Sequence, residues 1–400
     1  MFKSNRARVL GAVLGFSMVV SASAKEAPKA AFSAKMLKLA QVVSQTLVDT
    51  SSAGKFMDPK NAKRIEDNTK KLSELAHDIH KASVGASTDV ISPDGDVSVS
   101  LIAGLFQDDA KRAYDEFKRG NKEYARTVLR SIPGYCIGCH TRGNSGPQFI
   151  DLGTNAQLKG LTPFEKGEVF AATRQYDKAL ENFEEVFKKE SSARDRQIEW
   201  EKAARYAVAI AVRVKKDPAQ ALNFVEKIID FKGAPQFFKE DANAWKASLL
   251  TWKKEMSTVP TSEEGYFAEA QRLMSQAMQS QMYLADRNGD VYYLRATQTL
   301  HDLLRLYPNG SKTSESLYLL GLAYRALQGL NLWNLSDLYF EACIRKAPHT
   351  GVSSQCYRQY EESIFMGYSG SGGVSIPSDV RTKLFTLEGL AEGPTGVKPE

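Results

Sequence analysis

Apolar residues recur at intervals of three and four positions along most of the chain, and this spacing restricts the fold more than any other feature. It places apolar side chains on one face of an α-helix, whereas a strand requires strict alternation. Helix-forming residues dominate, and long alternating runs of β-branched residues are absent from the sequence. The 400 residues, 42% of them hydrophobic, suffice for two or three domains. The sequence therefore predicts an all-α protein.

The first 24 residues have the three parts of a secretory signal. Three cations lie within the first eight residues, an apolar stretch runs from Val9 to Val20, and Ala22-Ser23-Ala24 offers a cleavage site. Twelve residues are too few to span a bilayer, although an uncleaved N-terminal anchor is the alternative. We expect a soluble protein that is periplasmic or otherwise exported, begins near Lys25 and has no transmembrane anchor.

Charge and motifs exclude several functional classes. Removal of the signal lowers the net charge from +6 to +3, because that segment carries three cations and no anion. This balance argues against nucleic acid as a partner. The sequence contains no catalytic triad, phosphate loop or metal cluster, so we do not expect an enzyme.

Residues 30 to 132 predict four amphipathic helices. The stripes of the first two begin at Phe32 and Ile65, and a loop at Ser92–Asp96 precedes the third. Pro133-Gly134 is expected to end the fourth helix just before a group of cysteines. Four helices of this size can surround one planar cofactor.

The sequence Cys136-Ile137-Gly138-Cys139-His140 matches C-x-x-C-H, the attachment motif of c-type haem. Two thiols at this spacing can bond to both vinyl groups of one porphyrin, and the adjoining histidine can bind the iron. A redox-active cysteine pair and half of a zinc site are the alternatives. The first would accompany a βαβ pattern and the second needs another ligand pair nearby, and the sequence shows neither. The motif predicts one covalent haem c.

A helical bundle with C-x-x-C-H at the end of its last helix resembles the class II cytochromes c, the cytochrome c-prime group. The resemblance covers residues 30 to 145 and implies thioether bonds at Cys136 and Cys139, with His140 as the proximal iron ligand. Gly146-Pro147 resembles the Gly-Pro pair that follows the haem motif in the class I cytochromes c. That class also needs a distal methionine some tens of residues downstream of the histidine. The first methionine after His140 is Met256, so the upstream helices must supply the distal wall.

Met36 is the candidate for the sixth iron position, because it lies on the apolar stripe of the first helix. The alternative is that Met36 only fills the core. His77 and His80 fall on the face opposite the core line and are predicted at the surface. Three arginines near the motif either neutralise haem propionates or remain solvated: Arg126, Arg130 and Arg142.

From residue 163 to 365 the pattern changes to helical pairs that resemble tetratricopeptide repeats. The clearest copy has small and aromatic residues at Gly167, Phe170, Tyr176, Ala179 and Phe183. Weaker copies run over 209–225, 296–308 and 321–348, the last with Gly321 and Phe340 at such positions and with three extra residues. In these repeats the small residues let two helices pack closely. Such stacks form concave surfaces that bind partners, so we expect a redox partner protein to dock here. The alternative is that they only cap the haem domain.

Three methionines at four-residue spacing, Met274, Met278 and Met282, are predicted to pack or to form an adaptable surface rather than to bind copper(I). Cys343 and Cys356 are expected on consecutive helices, as a disulfide or as two buried thiols. A Gly/Ser-rich linker follows at 367–375, then a short helix over 377–390.

These observations divide the chain into a signal at 1–24, a haem-binding bundle at 25–155, repeats at 156–366 and a linker, short helix and tail at 367–400. They predict an exported monohaem cytochrome that transfers single electrons. A haem-based sensor of nitric oxide or carbon monoxide and a periplasmic assembly scaffold with a structural haem are the alternatives.

Overall fold

The computed structural model describes residues 26–84, 98–143, 158–188, 196–255, 259–283, 286–327 and 335–392. The predicted signal, the loop at Ser92–Asp96, Gly146-Pro147 and the boundary near residue 155 lie outside these ranges. The described part is about 81% helical, with 16 α-helices and almost no strand, so the all-α prediction is confirmed. Across the same ranges, none of the helices combines the length and apolar character needed to cross a bilayer.

The described residues of the N-terminal part form five helices where the sequence predicted four. They are α1 Glu26–Thr50, α2 Ala53–Met57, α3 Pro59–Val84, α4 Ser98–Lys118 and α5 Lys122–His140. The short α2 is the additional helix: Ser52 caps its first turn, and Phe56 is fully buried against Phe117. The four long helices pack as α1 on α3, α3 on α4, and α4 and α1 on α5.

Helix α5 runs without a break through Pro133-Gly134, so the predicted helix end at this pair was wrong. Proline removes one backbone donor from the helix, which costs stability but does not by itself end a packed helix. Leu129, Ile132 and Pro133 are all buried in the bundle core. This packing keeps the helix continuous, and the cysteines therefore lie on its last turns.

The helical pairs begin at residue 163. In chain order the helices are α6 Pro163–Ala172, α7 Tyr176–Phe187, α8 Gln197–Ala209, α9 Pro218–Asp230, α10 Gln236–Lys254, α11 Glu263–Ser280, α12 Asp290–Leu306, α13 Thr313–Ala326, α14 Leu335–Lys346 and α15 Gly351–Gly367. Neighbouring helices pack in the manner of helical repeats. At Gly167 and Gly321, an added Cβ would overlap the rings of Phe183 and Phe340. The small residues therefore let α6 approach α7, and α13 approach α14, where the sequence predicted close packing.

A π-helical segment, Ile210–Lys215, extends α8 and ends at Lys216, whose φ of 53° is left-handed. The segment carries Arg213 into the interior. The helical pairs also contact the N-terminal bundle. Helix α6 packs on α1 and α5, and α14 contacts α4.

The Gly/Ser-rich segment after α15 forms a small antiparallel hairpin instead of the linker that the sequence predicted. Strand β1 Ser369–Gly370 pairs with β2 Gly373–Val374. The predicted helix follows as α16, Ser378–Glu392, with Leu384 and Leu387 buried against the preceding helices. This packing attaches the end of the described chain to the repeats.

Candidate functional site

One apolar cavity lies between the bundle and the first helical pair. Its walls come from α1, α3, α4, α5 and α6. The lining residues are Met36, Leu39, Ala40, Val43, Ser44, Ile79, Val99, Ile102, Ala103, Phe106, Tyr135, Cys136, Cys139, His140, Val169, Ala172 and Thr173. The three motif residues and Met36 thus border the same space.

The last turns of α5 place the motif on this cavity. Cys139 and His140 follow Cys136 by three and four positions, which puts all three residues on one side of a helix. Ile132 and Ile137 are buried and hold this part of α5 in the bundle. Because α5 continues through Pro133, a rigid helix positions the two thiols relative to the imidazole.

The imidazole of His140 has a defined hydrogen-bond partner. Its Nδ1 atom lies 2.5 Å from the carbonyl oxygen of Ala172, the last residue of α6. A carbonyl oxygen only accepts hydrogen bonds, so Nδ1 carries the proton and Nε2 keeps its lone pair. A histidine that binds a metal through one nitrogen usually donates the other N–H in this way.

The protonation state of His140 suits a ligand. Burial and the nearby cation of Arg174 lower the pKa of His140 to about 3, and the hydrogen bond to Ala172 offsets only part of this shift. The imidazole is therefore neutral at pH 7, the form that binds metal ions.

The thiols differ from those of a redox-active pair. Burial raises the pKa of the Cys136 thiol to about 12, and the neighbouring Cys139 adds to the increase. Reactive dithiols have lowered pKa values, because the thiolate is the nucleophile. In the part of the chain that the structure describes, no group of three or more His, Cys, Asp or Glu side chains converges as a metal site. The raised thiol pKa does not favour the redox interpretation.

Helices α1, α3 and α4 form the wall that the bundle contributes. Met36 is half-buried there beside Leu39 and Val43, as its place on the first apolar stripe indicated. Apart from Met36, this wall is mainly hydrocarbon, with Ile102 and Phe106 contributed by α4. Met36 thus places a thioether sulfur on the cavity wall.

Neither His77 nor His80 lines the cavity. His77 is exposed, as predicted. The surface prediction for His80 was wrong, because its ring is half-buried against Gly104 and its Nδ1 lies 3.1 Å from the carbonyl of Ser100. Gly104 lets α4 cover this ring, a contact that a single-helix pattern does not contain.

The three arginines near the motif are engaged with protein groups. Arg126 donates to the Thr50 carbonyl at 2.8 Å. Arg130 pairs with Glu165 at 3.5 Å and with Glu199 at 3.7 Å, which links α5 to the repeats. Arg142 is buried and its Nε donates to the Gly138 carbonyl, so the solvated alternative was wrong for this residue. Contact of these arginines with propionates stays a prediction.

Sequence reasoning missed the contribution of the first helical pair to the site. Val169, Ala172 and Thr173 of α6 and its C-terminal turn complete the cavity, and the Tyr176 hydroxyl donates to the His140 carbonyl at 2.7 Å. A capping box at Thr162 marks where α6 begins. No sequence signal connects that helix to the cysteine motif, because the contact arises only when distant segments pack.

A buried carboxyl group lies close enough to the motif to affect Cys136 electrostatically. Glu168 of α6 is buried, and burial raises its pKa to about 8 despite the cations of Lys202 and Arg130. Its charge also acts to raise the pKa of Cys136. Burial therefore favours the protonated form of this carboxyl group near the motif.

The other predicted residues lie outside the cavity. Met274 is buried, whereas Met278 and Met282 are exposed, and α11 ends at Ser280 before it reaches Met282. The three methionines thus do not share one helix face. Cys343 of α14 and Cys356 of α15 form a disulfide with Cα atoms 6.3 Å apart, a distance that such bonds commonly span.

The donor set fits a covalent haem. Two thiols at thioether spacing, a neutral imidazole with Nε2 as donor and a thioether from Met36 border one mainly apolar space.

No family profile, curated protein or solved structure matches the chain.

Proposed function

We propose that this chain is an exported monohaem c-type cytochrome that transfers single electrons and docks its redox partner through the helical repeats. The observation that supports it most directly is the common position of Cys136, Cys139, His140 and Met36 on the walls of one apolar cavity. In this function the two cysteines attach the haem and His140 binds the iron through Nε2.

When bound, a haem supplies reversible one-electron exchange. The residues of this chain set its surroundings. The Ala172 carbonyl holds the His140 ring through Nδ1–H and increases the electron donation of the imidazole. The aliphatic and aromatic walls give a bound haem apolar surroundings, which change the relative stability of two oxidation states that differ in charge.

A haem-based sensor of nitric oxide or carbon monoxide is the second candidate. It is favoured by the hydrocarbon character of the wall around Met36, where Leu39, Val43, Ile102 and Phe106 offer no donor to iron. If Met36 only packs, the sixth iron position would be open to a small apolar gas. A structural haem in an assembly scaffold would need neither an open position nor reversible reduction.

The attachment test uses Cys136→Ala with Cys139→Ala in the full chain, expressed in a host that matures c-type cytochromes. We expect haem that survives denaturing electrophoresis in the parent protein and none in the double variant, because both thioethers come from this motif. The matched control is Cys343→Ala with Cys356→Ala, which also removes two cysteines but leaves the motif intact. Covalent haem in the motif variant, or its absence from the parent, contradicts the proposal.

A further inference from the structure

His140 is held at two points by the first helical pair. It is the last residue of α5, and its ring Nδ1 donates to the Ala172 carbonyl at 2.5 Å. Its own backbone carbonyl accepts a hydrogen bond from the hydroxyl of Tyr176, the first residue of α7, at 2.7 Å. Both the ring and the backbone of the proposed iron ligand are therefore bonded to the repeat region.

Each of these bonds completes a helix end. The last carbonyls of an α-helix have no partners within that helix. In α6, the three carbonyls before Ala172 accept hydrogen bonds from backbone N–H groups of the turn that follows. The Ala172 carbonyl accepts its hydrogen bond from the His140 ring. In α5, the terminal carbonyl of His140 accepts a hydrogen bond from the Tyr176 hydroxyl. The ends of two helices are thus connected through one residue.

Tyr176 is suited to a fixed donor role. Its residue surface is 3% exposed, so its hydroxyl has little water to bond with instead. Tyr176 is also the aromatic residue at which α7 begins, so its position follows that of the whole helical pair.

We propose that Tyr176 is a positioning residue for His140, and that through it the first helical pair of the repeats controls how strongly the imidazole donates to iron. This inference rests on the proposed cytochrome function. Loss of the Tyr176 hydroxyl releases the last carbonyl of α5, and the final turn that carries His140 becomes looser. The bond from Nδ1–H to Ala172 then weakens, and a histidine with a weaker second hydrogen bond is a poorer electron donor.

The test compares two tyrosine variants of the full, haem-loaded chain. Tyr176→Phe removes only the hydroxyl that reaches His140. Tyr293→Phe is the matched control, because its buried hydroxyl donates to Gln281 at 2.8 Å within the repeats, away from the cavity. We expect both variants to keep covalent haem. Only Tyr176→Phe should show a higher midpoint potential and lose the axial histidine at a higher pH during acid titration.

A second measurement does not need haem. The chain has five histidines, so ring ¹⁵N spectra of the selectively labelled, haem-free protein are simple to assign, with His140→Ala identifying the signal. We expect the Nδ1–H tautomer at His140 in the parent and in Tyr293→Phe, and a mixture of tautomers in Tyr176→Phe.

The outcomes separate this inference from the proposed function. If Tyr176→Phe matches the control in potential, acid titration and tautomer, Tyr176 does not position His140 and the inference is overturned. If the parent carries no covalent haem, the cytochrome proposal fails while the tautomer measurement still decides the role of Tyr176.

Discussion

At the scale of single residues, Met36 and His140 border one cavity from helices at opposite ends of the bundle sequence. A thioether on iron favours the reduced state, because sulfur is a soft ligand. We predict that Met36→Ala converts a low-spin haem that is insensitive to carbon monoxide into a high-spin haem that binds it, with covalent attachment unchanged. The absorption spectrum of the reduced protein with and without carbon monoxide measures this change.

The control is Leu39→Ala, which removes an apolar group of similar size from the same wall without removing sulfur. It should leave the haem low-spin. If the parent protein is already high-spin and binds carbon monoxide rapidly, Met36 is not a ligand and the gas-sensor function becomes the better explanation.

The residues of the site differ in how far the sequence could predict them. The haem-attachment role of Cys136, Cys139 and His140 could be predicted because the whole motif lies within five consecutive positions. The prediction that Met36 lies on the buried face of the first helix required only the helical period of that segment. Ala172 and Tyr176 were missed because their roles depend on which helix end meets His140, and this is decided by packing between segments 32 and 36 residues apart.

At the scale of helices, small residues determine which pairs can approach closely. Gly321 of α13 lies against the buried ring of Phe340 in α14, and a Cβ there would overlap it. We predict that Gly321→Ala lowers the free energy of unfolding by about 1–3 kcal/mol, the usual cost of overpacking a core. Chemical denaturation followed by circular dichroism measures the loss.

Gly389→Ala is the matched control, since Gly389 also lies within a helix, α16, but an added Cβ there meets no atom within 4 Å. Alanine is the better helix former, so this variant should gain about 0.5–1 kcal/mol. Equal effects at the two positions would mean that Gly321 is not a packing site.

Helix positions were predicted better than helix ends. The spacing of Gly167 and Phe183, and of Gly321 and Phe340, indicated both close pairs. The predicted stop at Pro133 failed because a local rule for one missing N–H was outweighed by burial of the surrounding α5 face. Local patterns thus identify helices, while tertiary packing decides where they end.

At the scale of the whole molecule, the repeats are joined across long sequence distances. Arg213 of the π-helical segment donates through Nη2 to the Tyr324 hydroxyl of α13, 111 residues away, at 2.9 Å. The same hydroxyl lies 2.8 Å from Nε2 of His301 on α12, and Tyr324 stacks on Tyr339 of α14. The extended end of α8 is thereby connected to three later helices.

Arg213 is 0% exposed, and within the described part of the chain its Nε and Nη1 atoms have no hydrogen-bond partner. Its guanidinium lies 5.8 Å from the Tyr324 ring centroid. A buried cation with so few partners is costly to desolvate, so its contribution to stability comes from filling volume more than from its charge. The unpaired donors and the filled volume therefore have opposite effects on stability.

Two substitutions separate these effects. Arg213→Met keeps most of the side-chain volume and removes the charge, so we predict a free energy of unfolding equal to or above that of the parent. Arg213→Ala leaves a cavity among Tyr324 and its neighbours and should lose about 2–5 kcal/mol, as large buried truncations do. Denaturant unfolding of both variants gives the two values. A loss in Arg213→Met as large as that in Arg213→Ala would show that the guanidinium, rather than its volume, joins the two parts of the repeat array.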